Sequence, residues 1–314
     1  MKKKLFFILV FTAIFLINCG SAIDVNKEKE DLVEEKETVL DDKDDTPSQK
    51  VMTLGTYAGL PRLGNGRADI PKLISQLNEL NANTYNWLIW RGDKDWDDLI
   101  LFLPEAKKHN ISVWVTLVPP SESKPRAKWN SEPYGMDYIR WSKEIAQLSV
   151  AYPNLIALSI DDFASNRNTY TPEYLKKMIN EIDKFNSDLS FIPCIYYQYF
   201  TPEFVESYVS LIDGILFPYM AKSEGANLKN PNLVKNEIAQ IRSSIKEDLP
   251  IYIDVYLTGH SAHGETTPSY VETVIKEGGK YADGVLIYTH PLPNSEKGRI
   301  VKEEFGRLKM SSKQ

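Results

Sequence analysis

Cysteine is almost missing from this chain. It has 314 residues and 2 cysteines, Cys19 and Cys194, so no disulfide framework is available. Cys194 lies in the apolar run Phe191-Ile192-Pro193-Cys194-Ile195 with no activating neighbour in sequence, which reads as a buried structural thiol. Excess positive charge is also missing. The formal net charge is −6, of which residues 24–50, with 11 acids and 5 lysines, supply as much on their own. A folded part with that balance cannot neutralise a phosphate backbone, which argues against nucleic acid as a partner. No glycine-rich phosphate turn follows the first apolar strand, because Gly55, Gly59, Gly64 and Gly66 lack the spacing. Nor is there a nucleophile elbow of the serine-hydrolase kind.

The start of the chain reads as three successive parts. Lys2, Lys3 and Lys4 precede an apolar run from Leu5 to Ile17, too short for a comfortable membrane span, and then a cleavage region. That is a secretory signal over residues 1–19. Leu16-Ile17-Asn18-Cys19 resembles a bacterial lipobox, with Asn18 in place of the usual small residue. The resemblance implies cleavage before Cys19, acylation of that cysteine, and a lipid anchor in the cell envelope facing away from the cytoplasm. Residues 20–50 are dense in Glu, Asp and Lys and hold no aromatic residue. Such a segment cannot bury enough apolar area to offset its chain entropy and is expected to be a disordered linker.

From Val51 onward, short β-branched runs alternate with amphipathic runs, the mark of parallel βαβ units. Strands are expected at 52–57, 84–89, 112–118, 155–160, 190–196, 214–217, 251–256 and 284–288. Helices are expected at 70–80, 97–109, 137–151, 172–185, from 202, at 233–246, 268–280 and 296–308. Asp69 and the Thr-Pro-Glu runs at 171 and 201 supply N-caps and first-turn prolines. Asp213-Gly214 and Asp283-Gly284 each stand just before a strand, as a tight helix-to-strand turn requires. Eight such units make a single (β/α)8 barrel, an α/β TIM barrel over residues 51–310. An open doubly wound sheet is the alternative and would want the phosphate turn that is missing.

In such barrels the chemistry collects where strands end. The residues there are Tyr57, Gly59 and Arg62; Trp87, Trp90, Arg91 and Asp93; Glu122; Asp161 and Asp162; Tyr196, Tyr197, Gln198 and Tyr199; Tyr219 and Lys222; Asp254, Tyr256 and His260; Tyr288 and His290. Aromatic rings with polar handles suit the faces of sugars. Asp161 and Asp162 are adjacent acids directly after an apolar strand, and close carboxyls raise one another's proton affinity, so that one can serve as a general acid. Strand alternation sends neighbours to opposite faces, so both reach one pocket only through a twist or bulge. Two further readings stay open: a helix cap or loop salt bridge for the acid pair, and a metal site from His260, His263 and His290.

Three segments carry a family resemblance. Gly55-Thr56-Tyr57-Ala58-Gly59-Leu60-Pro61, Leu80-Asn81-Ala82-Asn83-Thr84-Tyr85 and Ala157-Leu158-Ser159-Ile160-Asp161-Asp162 together resemble glycoside hydrolase family 84, the O-GlcNAcase and hyaluronidase-like β-N-acetylglucosaminidases. The likeness covers the first half of the domain. The chain departs from the family at Ile160, at Trp90-Arg91-Gly92-Asp93 after the second strand, and at Asp254-Val255-Tyr256, which has no asparagine. The resemblance implies a glycosidase in which the substrate's own 2-acetamido oxygen attacks the anomeric carbon, an exception to the two-carboxylate scheme. Asp161 would orient the acetamido N–H, and Asp162 would protonate the leaving oxygen and then activate water. No cofactor or metal is required. Tyr57, Gly59, Trp90, Arg91, Asp93, Tyr196, Tyr197, Tyr219, Asp254, Tyr256 and Tyr288 are the expected carbohydrate contacts. The competing function is a non-catalytic carbohydrate-binding or adhesion lipoprotein, which keeps the aromatic rim and has no need of the acid pair.

Overall fold

The computed structural model of the protein describes residues 51–246 and 248–311. The signal at 1–19, the lipidation at Cys19 and the linker at 20–50 lie outside the described residues. Among the described residues, eight strands alternate with eight α-helices: β1 (Thr53–Tyr57), α1 (Ile70–Glu79), β2 (Thr84–Ile89), α2 (Lys94–Lys108), β3 (Ser112–Leu117), α3 (Tyr138–Ala151), β4 (Leu155–Ile160), α4 (Pro172–Asp183), β5 (Ser190–Phe191), α5 (Pro202–Tyr208), β6 (Ile215–Pro218), α6 (Val234–Ile245), β7 (Ile251–Tyr256), α7 (Pro268–Tyr281), β8 (Gly284–Tyr288) and α8 (Glu296–Ser311). All pairings between strands are parallel, and β8 lies beside β1. The seam between β5 and β6 is closed by Ile195 N donating to Leu216 O at 2.9 Å and Leu216 N to Pro193 O at 3.0 Å. This is the (β/α)8 barrel expected from the alternation.

Local chemistry accounts for the element ends. Asp69 and Asp137 accept from the backbone N–H groups of Lys72 and Arg140, three residues on. Three helices open on Thr-Pro, with Thr171, Thr201 and Thr267 capping Tyr174, Phe204 and Tyr270. Proline at the first helical position gives up an N–H that has no partner there in any case.

β5 is two residues long, against seven expected. Pro193 has no N–H to donate, which breaks the ladder. The chain still tracks β4, since Ile192 N and Cys194 N donate to Leu158 O and Ile160 O. α2 begins three residues earlier than expected, because Asp95 is a buried anchor: it pairs with Arg62 at 2.6 Å and accepts from Trp90 N and Arg91 N at 3.0 and 2.8 Å.

The repeated Asp-Gly pairs make the expected short turns into β6 and β8, and their carboxylates do a further job. Asp213 and Asp283 accept from the N–H groups of Phe191, in the neighbouring strand β5, and Ile251, which opens β7. A Cβ on Gly284 would stand 2.7 Å from the Thr53 carbonyl oxygen, so close strand approach is what demands glycine there.

Two apolar layers result. One lies between the sheet and the helices. The other fills the barrel interior with Tyr57, Leu88, Trp114, Ala157, Ile192, Cys194, Leu216 and Leu286. Trp114 meets Tyr252 edge-on at 4.8 Å inside the barrel. No helix among the described residues is long and apolar enough to cross a membrane.

Candidate active site

The acid pair owes its geometry to one backbone torsion. Asp161 N donates to Leu117 O at 3.0 Å, carrying the β3–β4 ladder one residue past β4. Asp162 then takes φ 44° and ψ 33°, in the left-handed region. Aspartate is among the few residues besides glycine that visit this region, at a cost of roughly 1–2 kcal/mol. Its carbonyl is tied down by Ser165 Oγ at 2.8 Å and Asn166 Nδ2 at 2.9 Å. The sharp turn cancels strand alternation, and both carboxyls line the same cavity at the barrel mouth. Carboxylate oxygens of Asp161 and Asp162 and the Cys194 sulfur all lie within 4.8 Å of one another.

This inner cavity, about 220 Å³, holds four carboxyls: Glu122, Asp161, Asp162 and Asp254. No lysine or arginine lines it. Burial raises Asp161 to about 7, and the neighbouring Asp162 and Glu122 add to the effect, while the Tyr57 hydroxyl opposes it. Asp162 is raised by burial, against the Tyr196 hydroxyl and His260. Glu122 is raised by burial and by Asp162. Asp254, on β7 and 2 % exposed, is pushed well above the usual carboxylate range by burial and by Asp161. The site therefore carries protons that an exposed cluster of acids would have lost. Burial also holds the Cys194 thiol well up, which leaves it protonated and unreactive.

Aromatic rings form the walls. Tyr57 and Tyr288 meet at 5.2 Å, Tyr288 and Tyr256 at 5.6 Å, and His260 stacks on Tyr256 at 4.8 Å. Trp90 and Trp129 lie 4.5 Å apart as a joint platform. Two buried polar atoms facing the cavity, Tyr57 Oη and Asp254 Oδ1, have no hydrogen bond of ordinary geometry. Unpaired buried groups are costly, and a ligand's hydroxyls or amide would satisfy them.

Of the residues expected here, Tyr57, Trp90, Asp161, Asp162, Tyr196, Asp254, Tyr256 and Tyr288 line the cavity. Five others stand elsewhere. Gly59, with φ 67°, packs where a Cβ would press on Thr289 at 3.1 Å, so it shapes the first loop. Arg91 is exposed and lies over the outer ring of Trp90 at 4.6 Å. Asp93 is exposed at the start of α2 and its side chain makes no cap bond. Tyr197 turns outward to bond Gln240 on α6. Tyr219 is fully buried, stacked on Tyr270, with its hydroxyl donating to Asn230 O at 2.7 Å.

The three histidines do not meet. His290 spends both ring nitrogens on Thr56 and Gln76, whereas His260 lines the mouth. Among the described residues, the group with metal-ligand spacing is Asp161, Asp162 and Cys194. Trp129 escaped the sequence reading. It stands twelve positions past β3 in a loop without periodicity, and only its partner Trp90 follows a strand directly. Glu122 and His260 were visible only as residues near strand ends.

A barrel whose inner cavity gathers four carboxyls without a lysine or arginine, ringed by aromatics, is the class that fold and site define. No protein-family model matches the sequence, and no curated protein matches it. Solved structures do match in fold. They include a glucosidase from Croceicoccus marinus (TM-score 0.58, 10% identity, 83% of this chain and 68% of that one) and a GH113 β-1,4-mannanase (0.55, 11%, 82% and 99%). A β-glucuronidase from Bacteroides uniformis also matches (0.53, 12%, 76% of this chain), but the chain spans only 30% of that longer protein. At these identities the likeness is one of fold.

Proposed function

We propose that this protein is a retaining glycoside hydrolase that cleaves N-acetylhexosaminides outside the cytoplasm, tethered there through a lipid on Cys19. The observation that carries the reading is the position of the acid pair between two adjoining cavities. Asp161 lines the inner cavity only, whereas Asp162 lines both the inner cavity and an outer one. A sugar in the inner cavity with its leaving group in the outer one puts the scissile oxygen beside Asp162 and the 2-substituent beside Asp161.

The chemistry then follows. The acetamido oxygen attacks the anomeric carbon as the glycosidic C–O bond breaks, and the Asp162 proton goes to the leaving oxygen. Asp161, as carboxylate, accepts from the acetamido N–H. Water next attacks the anomeric carbon, Asp162 takes its proton, and the oxazoline ring opens. The pair must therefore enter with one proton between two carboxyls, and the high proton affinity of Asp161 keeps that proton on the pair up to about pH 7. An incoming N–H that donates to Asp161 favours its carboxylate form and so places the shared proton on Asp162. Tyr57 and Asp254 would meet the sugar with polar atoms that lack a well-formed hydrogen bond, and Trp90, Tyr256 and Tyr288 would pack its faces. The resemblance to glycoside hydrolase family 84 and the glycosidase names among the structural matches favour the same reading.

The test is turnover of aryl N-acetyl-β-glucosaminide beside the matched aryl β-glucoside. The expected result is cleavage of the first and not the second, with Asp162→Asn reducing kcat by about 10²–10⁴ at unchanged fold. Equal cleavage of both removes the acetamido role. Sugar binding without turnover removes the hydrolase and leaves a binding protein.

A further inference from the structure

The outer cavity differs chemically from the inner one. It measures about 290 Å³ and shares Glu122, Asp162, Tyr196 and His260 with its neighbour, so the two are continuous across the acid pair. The inner cavity has no lysine or arginine; the outer one has Lys222 and, with it, His263. Lys222 is half-buried and takes part in none of the ion pairs among the described residues. It sits in the short turn after β6 that Ala221, at φ 48°, swings toward the mouth. Arg167 lies behind the Tyr199 wall of the same cavity, 5.6 Å from the ring. Ser165 and Gln198 add neutral hydrogen-bonding groups. The acids Glu122 and Asp162 come from the loops after β3 and β4, Lys222 from the loop after β6 and His263 from the loop after β7. A ligand spanning the outer cavity thus meets acid at its catalytic end and an uncompensated ammonium at its far end.

We infer that the outer cavity is a leaving-group subsite selective for a sugar residue that carries a carboxylate, with Lys222 as the residue that reads it. The inference rests on the hydrolase reading above and names its leaving group. A half-buried ammonium without an acid partner is a poor neighbour for a neutral sugar and a good one for an anion. The carboxylate belongs either to a uronic acid ring or to an acidic ether substituent on a hexosamine, and both present the same group to Lys222.

The experiment compares three disaccharides with the intact protein. Each has N-acetylglucosamine β-linked to a second sugar: glucuronic acid, N-acetylmuramic acid, or N-acetylglucosamine as the neutral reference. The quantity read is the ratio of kcat/KM for an acidic substrate to that for the neutral one, which cancels any general loss of activity. The expected ratio is about tenfold or more for one of the two acids, the low end for a hydrogen bond to a charged group. Which acid shows it identifies the source. Lys222→Gln brings the ratio near one, Lys222→Glu takes it below one, and added salt lowers it in the wild type. A wild-type ratio near one with brisk cleavage of the aryl N-acetylglucosaminide overturns the inference and leaves the hydrolase standing. The same holds for a high ratio that survives Lys222→Glu in a folded variant. No cleavage of any disaccharide or aryl glycoside overturns both.

Discussion

Replacing Asp161 by asparagine separates the cost of the acid pair from its use. The substitution keeps the size of the side chain and removes its charge. In the folded protein this carboxyl holds its proton up to about pH 7, whereas its ordinary value is 3.8. Between those two values the folded chain binds more protons than the unfolded one, so this group's contribution to stability falls as pH rises through that window. Below it both states are protonated; above it both are ionised and the full penalty stands. Three pKa units at 1.36 kcal/mol each set an upper bound of about 4 kcal/mol. Asp161 and Asp162 titrate as a coupled pair, so that bound belongs to the pair, and a gain of about 2 kcal/mol on removing one carboxyl lies well inside it. Asp161→Asn should therefore raise Tm by about 4–8 °C near pH 8 and leave it unchanged near pH 4, while hydrolysis is lost. Thermal unfolding of both proteins across that range is the assay. An equal gain at both pH values, or no gain at the higher one, would refute the reasoning, since burial of an ionising carboxyl would then not be the source of strain.

Three further outcomes are expected. The kcat/KM profile for the aryl N-acetylglucosaminide should fall about tenfold per pH unit above about 7, where the pair loses its shared proton; a profile flat for about two units beyond contradicts the one-proton requirement. Tyr57→Phe deletes a buried hydroxyl that has no well-formed partner, so denaturant unfolding should change by less than about 0.5 kcal/mol while KM rises about tenfold; a large loss of stability would mean the hydroxyl is satisfied within the protein. Asp95→Ala leaves two backbone N–H groups unpaired and a half-buried guanidinium with only its bond to the Gly66 carbonyl, and should cost about 2–4 kcal/mol on denaturant unfolding; a loss under about 1 kcal/mol would show that Asp95 does not hold the Trp90 loop.

The barrel was legible because its signals are local. Alternating β-branched and amphipathic runs, Asp69, Asp137 and the Thr-Pro caps act through neighbours within a turn of the chain, so the order of elements and most of their ends follow from sequence. β5 was overcalled because the effect of Pro193 depends on which strand needed its missing N–H. At the site, Tyr57, Asp254, Tyr256 and Tyr288 are readable from their places at strand ends. Tyr197 and Tyr219 were misplaced in that reading, because loop torsions after β5 and β6 turn them to Gln240 and Tyr270.

By itself the sequence determined eight βα units, an Asp-Asp pair at the end of the fourth strand, and a surplus of aromatics around it, since each of these depends on residue type and short-range spacing. Only the tertiary structure decided that both acids face one cavity, that Trp129 joins Trp90, that Asp254 is buried beside Asp161, and that Lys222 stands across the acid pair. Those facts depend on the left-handed torsion of Asp162 and on burial between elements far apart in the chain, and neither is written in any local pattern.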